Sequence, residues 1–209
     1  CLNLQHVLDR RGVATCYPTP MPLSPRRFHC EQLCDVALCL STAARVVGND
    51  VSADDAELLT VTGANEGGKS TFLRSRGSSQ LMMQAGMFVA AESFTASVTN
   101  GVYTHFKREE DSSMTHGKLD EELARMSEIA DSISAGCLLL CNESFASTTE
   151  REGSQIARGV IDALTAADVT VVFVTHLFDL AHSLYRRDNP RYLFLRAERE
   201  EDGTRTFRL

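Results

Sequence analysis

Apolar residues recur along this chain in two rhythms, and the rhythm changes from element to element. Leu33, Val36, Ala37, Leu40 and Ala44 fall at helical spacing and predict a helix from Leu33. Glu57-Leu58-Leu59-Thr60-Val61-Thr62 reads as a short strand running straight into Gly63. A helix is expected from near Lys69 to about Gln84, weakened at its middle by Gly77, which costs about 1 kcal/mol relative to alanine. Ser93–Phe106 alternates valine and aromatic residues with polar ones and reads as strand, while Glu109–His116 has the composition of a mobile loop. Leu119, Leu123, Met126, Ala130 and Ile133 alternate by four and three, which places them on one helical face. Leu138–Cys141 and Thr170–Thr175 are continuously apolar, as expected of strands covered on both faces. Between them Ser147-Thr148-Thr149-Glu150 fits a capping box, followed by Ile156, Val160, Ile161 and Leu164 on one side of a helix. Tyr192–Arg196 and Thr204–Leu209 flank Asp202-Gly203 and predict a terminal hairpin.

Strand, helix, strand, helix, strand is the grammar of an α/β fold with a central, mostly parallel sheet flanked by helices. The 209 residues suffice for one such domain. Residues 1–29 carry Pro18, Pro20, Pro22 and Pro25, a density that forbids regular helix and suggests an extended connector from an upstream region, with the domain proper at 30–209. The first residue is Cys1, not Met, as in a piece of a longer protein. A net charge of -7 is the wrong balance for a surface that neutralises phosphates, so this segment is not expected to hold DNA by itself. Seven cysteines, an odd number in a chain too large to need staples, suit free thiols in a reducing, cytoplasmic setting. Cys30, Cys34 and Cys39 match no zinc spacing and read as small hydrophobes. No run reaches the roughly 18 apolar residues of a membrane span, and no signal peptide is present.

The chemistry begins at Gly63-Ala64-Asn65-Glu66-Gly67-Gly68-Lys69-Ser70-Thr71, which satisfies G-x-x-x-x-G-K-[ST] between an expected strand and an expected helix. Glycines let successive N–H groups turn inward toward phosphate oxygens, and a helix N-terminus adds partial positive charge beneath them. In this pattern Gly63, Ala64, Asn65, Gly67 and Gly68 cradle the phosphates of ATP. Lys69 reaches the β- and γ-phosphates, and the Ser70 hydroxyl coordinates Mg²⁺.

Two further strand ends complete the set. Leu138-Leu139-Leu140-Cys141-Asn142-Glu143 stands where a Walker B strand should end, with Glu143 placed to polarise a water for attack on the γ-phosphate. Asn142 occupies the position that normally holds an aspartate of the Mg²⁺ shell; it can accept from a metal-bound water but brings no charge. Val171-Val172-Phe173-Val174-Thr175-His176 ends in a histidine suited to sensing the γ-phosphate or the attacking water. A helix-start role for Glu143 and a plain surface role for His176 are the bland alternatives.

The order of these motifs is that of the ABC-type ATPases, and within that group the chain resembles the MutS family of DNA mismatch repair. The resemblance rests on Thr62–Thr71, on Arg125-Met126-Ser127-Glu128-Ile129-Ala130 and on Phe173–Leu180, and it covers about residues 43–185. It implies a P-loop NTPase of the ABC-ATPase type, the family's C-terminal ATPase domain. Glu143 would be its catalytic base, His176 its γ-phosphate sensor, and Lys69, Ser70 and Thr71 its phosphate and Mg²⁺ ligands. Val46-Val47-Gly48-Asn49 looks like the family segment that receives adenine, which brings Val47 and Asn49 into the site. The resemblance also implies a homodimer in the full-length protein, with DNA gripped by regions outside this segment.

Three departures mark a divergent member. Asn142 replaces the Walker B aspartate, Gly117-Lys118-Leu119-Asp120 lacks the serine of the family's signature loop, and Asn142–Thr149 departs from the usual Gly-Arg-Gly-Thr. The alternatives are an ATP-binding module with little hydrolysis and a nucleotide-binding subunit of another ABC-type ATPase. The second needs an LSGGQ-type sequence ahead of Leu138, and none is present.

Overall fold

The structure, a computed structural model, describes residues 2–63, 67–107, 117–198 and 206–209. The chain divides into two compact units: Cys1–Asp55, Gly63–Val98 and Arg196–Leu209 form the first, Ala56–Thr62 and Thr99–Leu195 the second.

In the first unit, a four-stranded sheet has the order β1-β5-β2-β3, with β1 at Thr19–Met21, β2 at Phe28–Leu33, β3 at Asn49–Ser52 and β5 at Ser93–Ser97. β2 runs antiparallel to both β3 and β5, and β1 pairs parallel with β5. Helices α1 (Leu2–Arg10), α2 (Val36–Ser41) and α3 (Lys69–Gln84) accompany it, and Leu8, Cys34, Cys39, Phe88 and Ala90 form a small core. α1 and β1 both fall inside residues 1–29, where an extended stretch was expected; the helix ends before the first proline, so nothing in Leu2–Arg10 opposes it. The helix expected from Leu33 starts three residues later. Asp35 is its N-cap, accepting from the N–H groups of Ala37 and Leu38, while Leu33 closes β2. Cys34 and Cys39 stand at the N′ and N4 positions around that cap, in the places of a hydrophobic staple. The described cysteines are all free thiols.

The second unit is built on a five-stranded sheet of order β6-β7-β8-β4-β9, at Val102–Phe106, Leu138–Asn142, Thr170–Val174, Leu58–Thr62 and Tyr192–Arg196. β6 with β7, β7 with β8 and β8 with β4 are all parallel. Helices α4 (Lys118–Ser132), α5 (Glu150–Ala166) and α6 (Phe178–Tyr185) join the strands, giving the expected α/β architecture. One face of the sheet contributes Leu58, Leu139, Cys141, Val171 and Phe173 to a core shared with Ala157, Ile161, Leu164, Leu180 and Leu184. The alternate residues Leu138, Leu140, Val172 and Val174 are buried too, which explains why both strands read as unbroken apolar runs. Each fully buried Leu, Val or Phe contributes about 1.5–3 kcal/mol, so these runs anchor the unit.

Three expectations shift here. Ser93–Phe106 is two strands in two different sheets, parted at 98–101 around Asn100-Gly101. α5 is capped by Thr149, whose hydroxyl accepts from the Glu152 N–H, so the box lies two residues beyond Ser147. On α4 the buried positions are Glu122 and Met126, backed by Leu119, Ile129 and Ile133, whereas Leu123 is 39% exposed and Ala130 is exposed. The loop expected at Glu109–His116 and the tip of the terminal hairpin lie outside the described residues; among the described ones, β9 is present and Thr206–Leu209 carries no strand.

Candidate functional site

The glycine loop is shaped by backbone that only glycine adopts freely. Gly63 has φ 119° and Gly68 φ 87°, and Gly68 is the left-handed N-cap of α3. Space is also closed to a side chain: a Cβ on Gly63 would stand 2.8 Å from Ala197 Cβ, and one on Gly68 would stand 3.1 Å from the Phe207 carbonyl oxygen. Ala64 and Asn65, expected to cradle phosphate, lie outside the described residues. Gly67 is buried and Thr71 half-buried in the first turn of α3, beside the half-buried Ser70.

Lys69, the first residue of α3, is only 4% exposed. Its Nζ donates to the Gly63 carbonyl at 2.9 Å, so the side chain folds back toward the end of β4. Lys69 stands at the N-terminal, positive end of the 16-residue α3, the end of a helix that favours anions. Left-handed glycines, first-turn N–H groups and the inward lysine therefore fit a polyphosphate. Ser70 supplies an oxygen that suits Mg²⁺, a hard cation.

In the same unit, Val47 is half-buried and Asn49 buried. The Asn49 amide is engaged by the C-terminal residues: Nδ2 donates to Phe207 O at 3.4 Å and Oδ1 accepts from Leu209 N at 2.9 Å. Phe207–Leu209 thus packs against both Gly68 and Asn49, a role invisible in a sequence that parts them by well over a hundred positions. The expectation that Asn49 meets adenine applies to a side chain that already ties down the chain end.

In the second unit, parallel pairing aligns the ends of β7 and β8, with Asn142 opposite Val174. Glu143 follows at φ 54°, in the left-handed region, its N–H donating to Val174 O at 2.9 Å. His176 follows two residues past β8, held by Thr175, whose hydroxyl accepts from Leu177 N and whose N–H donates to Val61 O. Glu150 Oε1 accepts from Phe178 N and Asp179 N and so caps α6 from across the loop. The result brings two expected site residues together: His176 Nδ1 lies 3.7 Å from Glu143 Oε1, close enough for electrostatic coupling and too long for a hydrogen bond. His176 is 47% exposed and Glu143 26%, so both are open to a ligand or water. Asn142, half-buried, sits at the last position of β7. Carboxylate and imidazole at adjacent carboxyl ends of a parallel sheet occupy the place where α/β proteins bind ligands.

Residues 59–208 match the sequence model of the family described as MutS domain V. The chain is 31% identical over 147 residues to the endonuclease MutS2 of Lactiplantibacillus plantarum (strain ATCC BAA-793 / NCIMB 8826 / WCFS1), covering 69% of this chain and 19% of that protein. It is 33% identical over 152 residues to the DNA mismatch repair protein MutS of Thermus aquaticus, covering 72% of this chain and 18% of that one. The chain thus spans about a fifth of the length of the curated relatives it matches.

Proposed function

This chain belongs to the MutS family, and from that premise we propose that it is a divergent form of the family's C-terminal ATPase domain, binding ATP with Mg²⁺ and hydrolysing it slowly. The observation that carries the reading is the glycine loop: Gly63 and Gly68 at positive φ, leading into α3 with Lys69 turned inward. The loop N–H groups and Lys69 hold the phosphates, and Ser70 with Asn142 holds Mg²⁺, Asn142 through a bound water. Mg²⁺ supplies charge neutralisation on the phosphates. Glu143 orients and deprotonates the attacking water, and His176 senses the terminal phosphate. Val47 gives the base an apolar contact.

In the longer protein, nucleotide turnover drives a conformational change that reaches DNA through other regions, and two copies form a homodimer. The relatives' names, an endonuclease and a mismatch repair protein, support work on DNA. A second reading, an ATP-binding module with little hydrolysis, is favoured by Asn142, which leaves the Mg²⁺ shell one negative charge short. Calorimetry on Lys69→Ala tests the shared part of both. Loss of measurable ATP binding is expected, because the point charge facing the phosphates is gone. Affinity equal to the unsubstituted chain would remove the nucleotide site from this loop.

A further inference from the structure

Buried polar groups that the proposed reaction does not use converge on the turn behind Glu143. Glu122, on α4, is 4% exposed. Its Oε2 accepts from the Phe145 backbone N–H at 2.5 Å, and its Oε1 accepts from the Ser147 hydroxyl at 2.5 Å. His105, on β6, is fully buried, with Nε2 3.0 Å from the Glu122 carbonyl oxygen and Nδ1 2.7 Å from Ser144 Oγ. A carbonyl can only accept, so the neutral ring carries its proton on Nε2; the single Ser144 hydroxyl proton faces two acceptors, Nδ1 and the His105 carbonyl oxygen at 2.9 Å. The ring also stacks on Phe145, with centroids 5.4 Å apart. Ser144, Phe145 and Ser147 are each gripped from α4 or β6.

Packing alone does not account for this. The rest of the buried face of α4 is apolar, formed by Leu119, Met126, Ile129 and Ile133, and a leucine at 122 would extend it. A carboxylate there is costly to bury. What stabilises it is a pair of short, charge-assisted bonds, both made to one turn. That turn needs holding, because Glu143 and Phe145 both sit at positive φ, 54° and 63°, a region that L side chains enter only under constraint.

We propose that Glu122 is a positioning residue that fixes the turn Ser144–Ser147 and thereby aims the Glu143 carboxylate. The proposal rests on the reading of Glu143 as the base.

The test uses Glu122→Ala, Glu122→Gln and Ser147→Ala in the 209-residue chain, each alone and combined with Glu143→Gln. Steady-state phosphate release gives kcat and KM, and circular dichroism at the assay temperature verifies folding. Glu122→Ala should lower kcat by about 30–100-fold, the scale of a misplaced catalytic group, with KM within about threefold. Glu122→Gln should recover most of the rate, since its amide oxygen can accept from Phe145 N–H and its NH₂ can donate to Ser147 Oγ. Because Glu122 acts through Glu143, adding Glu122→Ala to Glu143→Gln should cost nothing more. Should Glu122→Ala not fold, Ser147→Ala decides: kcat roughly 3–10-fold lower at unchanged KM supports the proposal, and unchanged kcat overturns it. A Glu122→Ala loss that multiplies onto that of Glu143→Gln, or none where Glu143→Gln collapses, overturns the proposal and leaves the base in place. Unchanged turnover in Glu143→Gln itself removes the base, and this proposal with it.

Discussion

Burial sets the chemistry of His105. Loss of solvent pushes its pKa down from the usual imidazole value, and Arg125 pushes the same way, against a smaller upward pull from its bond to the Glu122 carbonyl and from the Glu122 charge. The unfolded chain then binds a proton near pH 6.5 that the folded chain refuses. Stability from this residue is therefore complete above about pH 6.5 and lost as pH falls below it, with a slope of at most ~1.4 kcal/mol per pH unit. Urea unfolding of the unsubstituted chain and of His105→Gln between pH 7 and pH 5 should show a shallower pH dependence in the variant. Parallel curves would mean that the folded state accepts the proton. At this scale the sequence was legible wherever a motif fixes a backbone shape. Gly63 and Gly68 take positive φ ahead of α3, which Lys69 opens, and Glu143 and His176 come within 3.7 Å because strand ends align in a parallel sheet. Glu122 was not legible: its partners lie 23 and 25 positions away, and a carboxylate in a helix reads as a solvated face.

Elements were predicted best where one period runs unbroken. α3 spans Lys69–Gln84 as expected despite Gly77, and β7 and β8 begin at Leu138 and Thr170 as read. Readings failed where a local partner outweighed the period. Asp35 starts α2 with two hydrogen bonds, so Leu33 stays in β2, and the α4 face rotates to bury Glu122 rather than Leu123. α5 gives a sharper case. Gly153, in its first turn, passes so close to the Phe145 carbonyl that a Cβ would stand 2.3 Å from that oxygen. Gly153→Ala should therefore destabilise the fold by about 1–3 kcal/mol, the scale of overpacking, although alanine is the better helix former. Thr149→Ala, which removes the cap on the same helix, should cost about 0.5–1 kcal/mol. Midpoints of urea denaturation at constant m measure both. A Gly153→Ala variant as stable as its parent would show that α5 can move off the turn.

For the whole molecule, the acidic balance leads to a prediction about DNA. The basic pairs Arg10-Arg11, Arg26-Arg27 and Arg186-Arg187 are small, and one member of each is engaged at home. Arg11 donates to the carbonyls of Cys39, Leu40 and Thr42, Arg27 pairs with Asp54, and Arg187 pairs with Asp162. Salt-titrated binding to duplex DNA should therefore be weak near physiological ionic strength, since few counterions are released. Micromolar affinity that falls steeply with salt would reveal a basic face in this chain. ATP hydrolysis is measured by multiple-turnover phosphate release with Mg²⁺, comparing the unsubstituted chain with Glu143→Gln. Mg²⁺-dependent release should fall at least ~100-fold in Glu143→Gln while calorimetric ATP affinity is kept. Release that is absent in both, or equal in both, would contradict hydrolysis with Glu143 as the base.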